Sequence, residues 1–332
     1  MTTLGLVFLI LVALGFDFTN GFHDAANAVA VSITTRALKP LAALGLAASL
    51  NVVGALISTK VAATVGSGII ATPKGTNGLV LVFAALVGGI GWNLLTWWFG
   101  LPSSSTHALI GGLVGAALAG TDTVKWGGLV SKVIVPMAVS PAIGLALGFT
   151  LMIVIMWLFR RMKPNEVNRR FRHGELFSTS AMAFSHGTQD AQKTMGVIAL
   201  ALVVTGHLPG GFSVPLWVIL AAASAMGLGT LAGGWRVIRT LGSRITPLDP
   251  PRAFAAQTAA STVLLVSAYA YAIPISSTHL MTSSVMGVGA TRRLTAVRWG
   301  LGRQVVMAWI FTLPGAAVTA WVTYHIAHLV VR

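Results

Sequence analysis

The sequence predicts an all-α, polytopic membrane protein of about 10 to 12 transmembrane segments, built from two inverted-topology repeats with broken or re-entrant helices. Of its 332 residues, 55% are hydrophobic and only 9% are charged, whereas about a quarter of the residues of a soluble domain are charged. The apolar residues gather in runs close to the roughly 20 residues that span a bilayer. Short polar motifs also recur in the same order in the two halves of the chain.

Ten apolar runs, five in each half, set the order of the predicted segments. They are residues 4–35, 40–58, 78–100, 102–120, 133–159, 178–206, 215–235, 253–273, 274–291 and 304–330. The pattern predicts a first repeat over 1–159, a basic cytoplasmic loop over 160–177 and a second repeat over 178–332. Because each half has an odd number of runs, the second repeat must enter the membrane from the opposite face.

The formal charge of +15 reports membrane topology, and no nucleic-acid partner is expected, because the basic residues lie in short segments between apolar runs. An even number of crossings separates the arginine-rich segments 160–172, 236–252 and 292–303 from one another. All three can therefore lie in the cytoplasm of a plasma-membrane protein, with both termini outside. The absence of cysteine excludes thiolate metal sites, and the first run lacks the basic start of a cleaved signal peptide.

Two pairs of polar motifs carry the internal duplication. Asp24 in NGFHDAAN recurs as Asp190 in HGTQDAQK, 166 residues later, and PSSSTH recurs as PISSTH at an offset of 172. Irregular backbone at membrane depth is tolerated only inside the protein or along a water-filled cavity. We therefore expect the helices to be interrupted at all four motifs, and the interruptions to surround a transporter's binding site.

The PSSSTH and PISSTH motifs predict two helices that begin inside the membrane. Proline suits the first turn of a helix because it has no amide hydrogen to leave unpaired. A helix start offers backbone amides and a positive dipole end to an anion. Hydroxyl donors are added by Ser103, Ser104, Ser105 and Thr106 in the first motif, and by Ser276, Ser277 and Thr278 in the second. The alternative is a plain helix cap whose hydroxyls bond back to the preceding turn.

Acidic side chains in the middle of a membrane indicate function by default. Asp24 and Asp190 beside an anion are consistent with an anion that carries a proton, since a protonated phosphate donates a hydrogen bond and sulfate does not. The alternative is a structural ion pair, because Lys193 follows Asp190 by three residues while Asn27 stands at the equivalent place after Asp24. Asp17, two helical turns before Asp24, is either a proton carrier or an interfacial carboxylate.

The stretches NGFHDAANAVA, HGTQDAQKTMG, GLPSSSTHALIGG and IPISSTHLMTSSVMG resemble the motifs of the PiT family of inorganic phosphate transporters, in the same order and in both halves. The resemblance covers nearly the whole chain and is closest to the bacterial low-affinity branch. It implies a symporter, with no enzymatic activity and no cofactor, that imports phosphate on a cation gradient by alternating access and forms a homodimer in the lipid bilayer. His107 and His279 recur at the same repeat position, and their role is left open.

The expected site residues follow from the motif positions. The substrate-binding set is Asp24, Asn27, Ser103, Ser104, Ser105, Thr106, Gln189, Asp190, Lys193, Ser276, Ser277 and Thr278. The coupling-ion set is Asp17, Asn20, His23, Asp24 and Asp190.

The coupling ion is expected to be a proton, because the second motif departs from the family pattern. Sodium-coupled relatives have an Asn–Asp pair followed by Asn in both copies, whereas this chain has Gln189, Asp190 and then Lys193. A fixed ammonium works against sodium at that place. The alternatives are sodium coupling, phosphate carried as a metal complex with an unknown metal, another oxyanion such as sulfate, and a sensor that binds without transport. A membrane hydrolase is disfavoured because the polar motifs are duplicated and no nucleophile elbow is present.

Overall fold

The computed structural model describes residues 3–71, 75–208 and 212–331, and within these ranges nearly all of the chain is helical. In chain order, the α-helices of the described part are α1 (Thr3–Thr34), α2 (Pro40–Ile57), α3 (Lys60–Gly68), α4 (Gly75–Phe99), α5 (Ser105–Ala119), α6 (Trp126–Leu129), α7 (Val135–Leu158), α8 (Pro164–Val204), α9 (Leu216–Ala232), α10 (Trp235–Arg239), α11 (Pro250–Val266), α12 (Ser277–Ala290) and α13 (Trp299–Val331). The expected all-helical membrane fold is therefore what the chain forms.

Six described helices are long and apolar enough to cross a membrane, or seven if α9 and the segment Trp235–Arg244, bent by 60°, form one span. This is fewer than the 10 to 12 segments expected, because other helices are short or polar. Helices α5 and α12 have only 15 and 14 residues. Helix α8 has 41 residues but carries many polar side chains. The short helices begin deep in the protein, as the PSSSTH and PISSTH motifs predicted.

The interruptions expected at Asp24 and Asp190 are not found. Helix α1 runs unbroken through the first motif and α8 through the second. The polar side chains there are buried and bonded to neighbouring helices, so the backbone keeps its own hydrogen bonds and does not need to break. Single π-helical turns occur instead at Val130–Ile134, Thr240–Arg244 and Ser267–Tyr271.

The segment 160–177, expected as a loop, is mostly helical. Helix α8 begins at Pro164, so only a short turn separates it from α7. Proline in the first turn and Glu166 near the helix N-terminus both favour a helix start here. Arg169, Arg170 and Arg172 therefore lie on the first turns of α8, and Arg160, Arg161 and Lys163 lie in the turn before it.

The two halves of the chain are interleaved. Helix α1 packs on α9 and α8 packs on α2; likewise α5 packs on α13 and α12 packs on α7. Each helix that carries a polar motif thus lies against a helix from the other half, and every such contact has a counterpart. This arrangement brings both copies of the motifs to the centre of the molecule.

Glycines allow the two pairs of helices to cross closely at equivalent places. A Cβ on Gly21 of α1 would lie 2.3 Å from the carbonyl oxygen of Met226 on α9. Its counterpart, a Cβ on Gly187 of α8, would lie 2.1 Å from the carbonyl oxygen of Asn51 on α2. Both distances are shorter than atoms permit, so only glycine lets these helices approach as they do.

The arginine-rich segments share one face of the molecule, named here the basic face. The backbone N–H of Arg298 donates to the carbonyl of Ile245 at 2.9 Å, which joins two of these segments. Arg160 and Asp249 line one cleft, which joins the third segment. The basic face is therefore a structural feature as well as a pattern in the sequence.

Candidate functional site

Helices α5 and α12 begin in the same way, each with a serine cap. The Ser104 hydroxyl accepts from the backbone N–H of His107 at 3.2 Å, and the Ser276 hydroxyl accepts from that of His279 at 3.1 Å. Such caps satisfy one of the free amides of the first turn. The residues that follow each cap, Ser105 and Ser277, turn their hydroxyls to the carboxylates.

Asp24 receives hydroxyl donors from both helix starts. Ser105 Oγ donates to Asp24 Oδ2 at 3.1 Å, and Thr278 Oγ1 donates to Asp24 Oδ1 at 3.2 Å. His23 Nδ1 lies 2.7 Å from the same Oδ1. Asn27, one turn further along α1, donates from Nδ2 to Ser277 Oγ at 3.2 Å and to Thr278 Oγ1 at 2.9 Å. The first motif is therefore bonded directly to the start of α12.

Asp190 has more strongly charged surroundings. Ser277 Oγ donates to its Oδ2 at 3.1 Å. Lys193 Nζ lies 2.5 Å from its Oδ1, and His186 Nε2 lies 2.9 Å from its Oδ2. Thr106, the counterpart of Thr278, makes no hydrogen bond to Asp190 in the described structure, where Lys193 holds that carboxylate.

His186 was not among the residues expected from the sequence. Besides its contact with Asp190, its Nδ1 lies 3.3 Å from Asn51 Oδ1 on α2, and Asn51 Nδ2 donates to Thr230 Oγ1 at 2.8 Å. A signal was present in the duplication, because His186 is the counterpart of Asn20 at the offset of 166. Asn51 and Thr230 lie outside both motifs, and nothing in the local sequence marks them.

His23 and Gln189 occupy equivalent positions and bond to different partners. His23 Nε2 lies 3.3 Å from Thr96 Oγ1, which in turn lies 2.7 Å from Ser103 Oγ. Gln189 Nε2 donates to Ser267 Oγ at 2.6 Å and to the carbonyl of Leu264 at 3.2 Å. Ser103 and the amide nitrogen of Gln189 therefore support the site from behind rather than pointing at the carboxylates.

Asp17 and Asn20 lie on α1, two turns and one turn before Asp24, and both are fully buried. Asn20 Nδ2 donates weakly to Asp17 Oδ1 at 3.5 Å. The other carboxylate oxygen, Oδ2, has no hydrogen-bond partner among the described residues. Asp17 is thus a buried acid with spare acceptor capacity next to the site.

The two aspartates meet in one closed cluster. Asp24, His186 and Asp190 each place a ligand atom within 4.8 Å of the others. None of the expected site residues is more than 2% exposed. Three such groups could surround a small cation, but the Lys193 ammonium already supplies a positive charge at Asp190, so we assign no resident metal here.

His107 and His279 pack against each other where the two helix starts meet. Their ring centroids are 4.8 Å apart, and Trp309 stacks on His279 at 4.1 Å. Neither ring has a side-chain hydrogen-bond partner in the part of the chain that the structure describes. Their contacts are therefore those of packed rings between the two halves.

Comparison with known proteins places the chain among phosphate transporters. The family model described as "Phosphate transporter family" matches residues 20–320. A probable low-affinity inorganic phosphate transporter of Rhizobium meliloti (strain 1021) is 46% identical over 98% of this chain and 97% of its own length. Proteins with the same description from Mycobacterium bovis and Bacillus subtilis are 47% and 39% identical over 98% of this chain, and over 78% and 97% of their own lengths.

A solved structure, "The sodium-dependent phosphate transporter", has the same fold. It superposes with a TM-score of 0.89 over 98% of this chain and 100% of its own, at 22% sequence identity. At that identity the likeness concerns the fold alone.

Proposed function

The chain belongs to the phosphate transporter family, and from that premise we propose that it is a symporter that carries inorganic phosphate into the cell together with protons. One observation carries the proposal. Two hydroxyl-rich helix starts and two carboxylates from distant parts of the chain meet in a single buried cluster. The sequences of relatives described as inorganic phosphate transporters match this chain over almost its whole length.

The chemistry of the cluster favours phosphate over a fully ionised oxyanion. Ser105, Ser277 and Thr278 can donate hydrogen bonds to phosphate oxygens once they leave Asp24 and Asp190. Those carboxylates can then accept the protons that phosphate still carries. Sulfate has no such proton near neutral pH, so carboxylates repel it. Lys193 contributes a positive charge that phosphate can share.

Transport requires that this closed cluster open to one side at a time. We infer that the structure is an occluded state, in which α1 and α8 are bonded to the starts of α5 and α12. Movement of one half against the other would open the cluster towards either face. With the basic face in the cytoplasm, as the positive-inside rule favours, both termini lie outside a plasma-membrane protein.

The coupling ion follows from Lys193. The solved structure described as sodium-dependent shares the fold alone and does not assign the coupling ion of this chain. At Asp190 of this chain, the Lys193 ammonium lies where a sodium ion would need an oxygen ligand, which favours protons. A metal–phosphate complex would have to displace this ammonium, so the free anion is the simpler substrate.

Uptake of labelled phosphate into proteoliposomes tests the proposal. We expect an imposed pH gradient, acidic outside, to drive accumulation in sodium-free buffer. Excess arsenate should inhibit uptake and excess sulfate should not. Strict dependence on sodium would overturn proton coupling, and inhibition by sulfate would overturn the substrate assignment. Crosslinking in the same vesicles tests the proposed homodimer.

A further inference from the structure

We propose that His186 carries the coupling proton and holds it against Asp190. The inference rests on the proposed phosphate–proton symport and names the residue through which the two substrates are coupled. It follows from the hydrogen-bond partners of His186, from the charges around it, and from its difference from His23.

The partners of His186 fix which ring nitrogen carries hydrogen in the neutral form. Thr230 Oγ1 donates to the carbonyl of Met226 at 2.9 Å, so it accepts from Asn51 Nδ2. Asn51 therefore turns its Oδ1 to His186 Nδ1, 3.3 Å away, and this nitrogen must donate. A neutral ring protonated at Nδ1 has a lone pair at Nε2.

That lone pair would lie beside a carboxylate, and Nε2 has no hydrogen-bond partner among the described residues. His186 Nε2 lies 2.9 Å from Asp190 Oδ2, and both atoms are fully buried. Two acceptors at this distance repel each other unless a proton lies between them. The two side chains lie at ion-pair distance, so the carboxylate attracts an imidazolium and repels the lone pair of the neutral ring, although Nε2 is not aligned for a hydrogen bond in this state.

The charges of the cluster formed by Asp24, Asp190, Lys193 and His186 balance with that proton. His186 faces charged groups on two helices: Asp190 and Lys193 on α8, and Asp24 and the more distant Asp17 on α1. Two uncharged groups also face it, the amide of Asn51 on α2 and the hydroxyl of Ser277 on α12. Asp24 and Asp190 supply two negative charges and Lys193 one positive charge. A protonated His186 makes this group neutral, and loss of the proton leaves it negative.

Coupling follows from this balance. A neutral cluster can accept a phosphate anion, whereas a negative cluster repels it. Loss of the proton on the cytoplasmic side therefore promotes phosphate release, and binding of phosphate outside promotes proton uptake, since the two effects are reciprocal.

His23 lacks the same requirement. Its Nδ1 can donate to Asp24 Oδ1 at 2.7 Å, while its Nε2 accepts from a hydroxyl of Thr96 or Ser103. All its contacts are satisfied by the neutral ring. The two imidazoles beside the two carboxylates thus differ in whether the structure needs an extra proton.

The decisive variant is His186→Gln, which keeps polar contacts and cannot titrate. We expect pH-driven net uptake in proteoliposomes to fall about tenfold or more, the scale of a coupling between two ligands, while exchange of internal for external phosphate continues. The matched control is His107→Gln, another buried histidine with no carboxylate partner, which should keep the pH-driven component. Undiminished pH-driven uptake by His186→Gln would overturn the inference.

A second measurement remains decisive if His186→Gln does not fold. Asn51→Asp would place a carboxylate beside His186 Nδ1 and favour the imidazolium, so the pH at which pH-driven uptake is half-maximal should rise. No shift would overturn the inference. If uptake by the wild type does not depend on the pH gradient, the proposed proton coupling itself is wrong. Failure of the proposed function can therefore be distinguished from failure of the role of His186.

Discussion

The surroundings of Asp24 and Asp190 show how one duplicated framework carries two different sets of charges. Counterpart positions on α1 and α8, at the offset of 166, are Asn20 and His186, His23 and Gln189, Asp24 and Asp190, and Asn27 and Lys193. Ser105 and Ser277 donate to the two carboxylates at the same distance, 3.1 Å. The carboxylate and its serine donor are therefore common to both motifs, while the side chains differ in three of the four pairs.

The difference is that Asp190 is neutralised by the protein and Asp24 is not. Lys193 and His186 contact Asp190 directly, whereas Asp24 receives two hydroxyls and an imidazole whose contacts suit the neutral form. A buried charge needs a partner or several good hydrogen bonds. Fixed charge is therefore concentrated at the second motif, which leaves Asp24 to interact with what enters the site.

Removing each carboxylate should have the largest effect and should separate the two motifs. We expect Asp24→Asn and Asp190→Asn both to abolish phosphate uptake in proteoliposomes. Only Asp190→Asn should also destabilise the protein strongly, because it leaves Lys193 buried without a partner, at a cost of about 3–5 kcal/mol. Thermal unfolding in detergent measures the difference.

The control for both variants is Glu166→Gln, which removes an exposed carboxylate from the first turn of α8. It should leave uptake unchanged and lower stability by less than about 1 kcal/mol, the contribution of an exposed acid at a helix N-terminus. Full transport by either aspartate variant would mean that the two carboxylates form a structural pair and not the site. Equal loss of stability in both aspartate variants would contradict the conclusion that the protein neutralises Asp190 and not Asp24.

The helix starts should give the next largest effect. Ser104→Ala with Ser105→Ala removes the cap of α5, about 1 kcal/mol, and the hydroxyl that bonds Asp24. We expect phosphate affinity to fall about tenfold or more, as the loss of one hydrogen bond from Ser105 to a charged group implies. Equilibrium binding of labelled phosphate to purified protein measures it.

The matched variant is Ser276→Ala with Ser277→Ala. It should weaken binding at least as much, because Ser277 accepts from Asn27 and donates to Asp190. Unaltered affinity in both double variants would show that the hydroxyls only cap the helices, the alternative that the sequence leaves open.

Lys193→Asn gives the second motif the side chain that the first has at Asn27. We expect it to lose several-fold in pH-driven uptake and to gain stimulation by sodium, because an amide oxygen replaces the ammonium beside Asp190. Uptake at fixed pH with and without sodium measures the change, with Lys193→Arg as the control that keeps the charge. Sodium stimulation of the wild type equal to that of Lys193→Asn would contradict this role of Lys193.

The sequence predicted the fold class and the pairing of the motifs, because these depend on periodic hydrophobicity and on duplication. Pro102 and the serines after it predicted the start of α5 inside the protein, and the structure places that start there. The continuity of α1 through Asp24 could not be predicted, because it depends on partners such as Thr278, 254 residues away. The same holds for Asn51, whose importance comes only from its contact with His186 across the interface of α2 and α8.

A further difference between the motif helices lies on the basic face. Glu175, on α8 before the predicted membrane run that begins at 178, is fully buried, and Thr35 Oγ1 donates to its Oε2 at 2.8 Å. Its counterpart on α1, at the offset of 166, is the apolar Leu9. Only the second motif helix therefore carries a buried acid at this position of the repeat.

The smallest expected effect comes from removing that acid. Burial raises the pKa of the Glu175 carboxyl to about 8, against the opposing effects of Thr35 and Arg172. The unfolded chain releases this proton near pH 4.3, so between about pH 4 and 8 the folded state binds more protons, and stability falls as pH rises. Glu175→Gln removes this slope, and its melting temperature should equal that of the wild type near pH 4 and exceed it by a few degrees near pH 8. Thermal unfolding in detergent across this pH range measures the difference. The control is Glu166→Gln, whose melting temperature should change with pH as that of the wild type does. If the melting temperatures of all three proteins change with pH in parallel, Glu175 is ionised in the folded state.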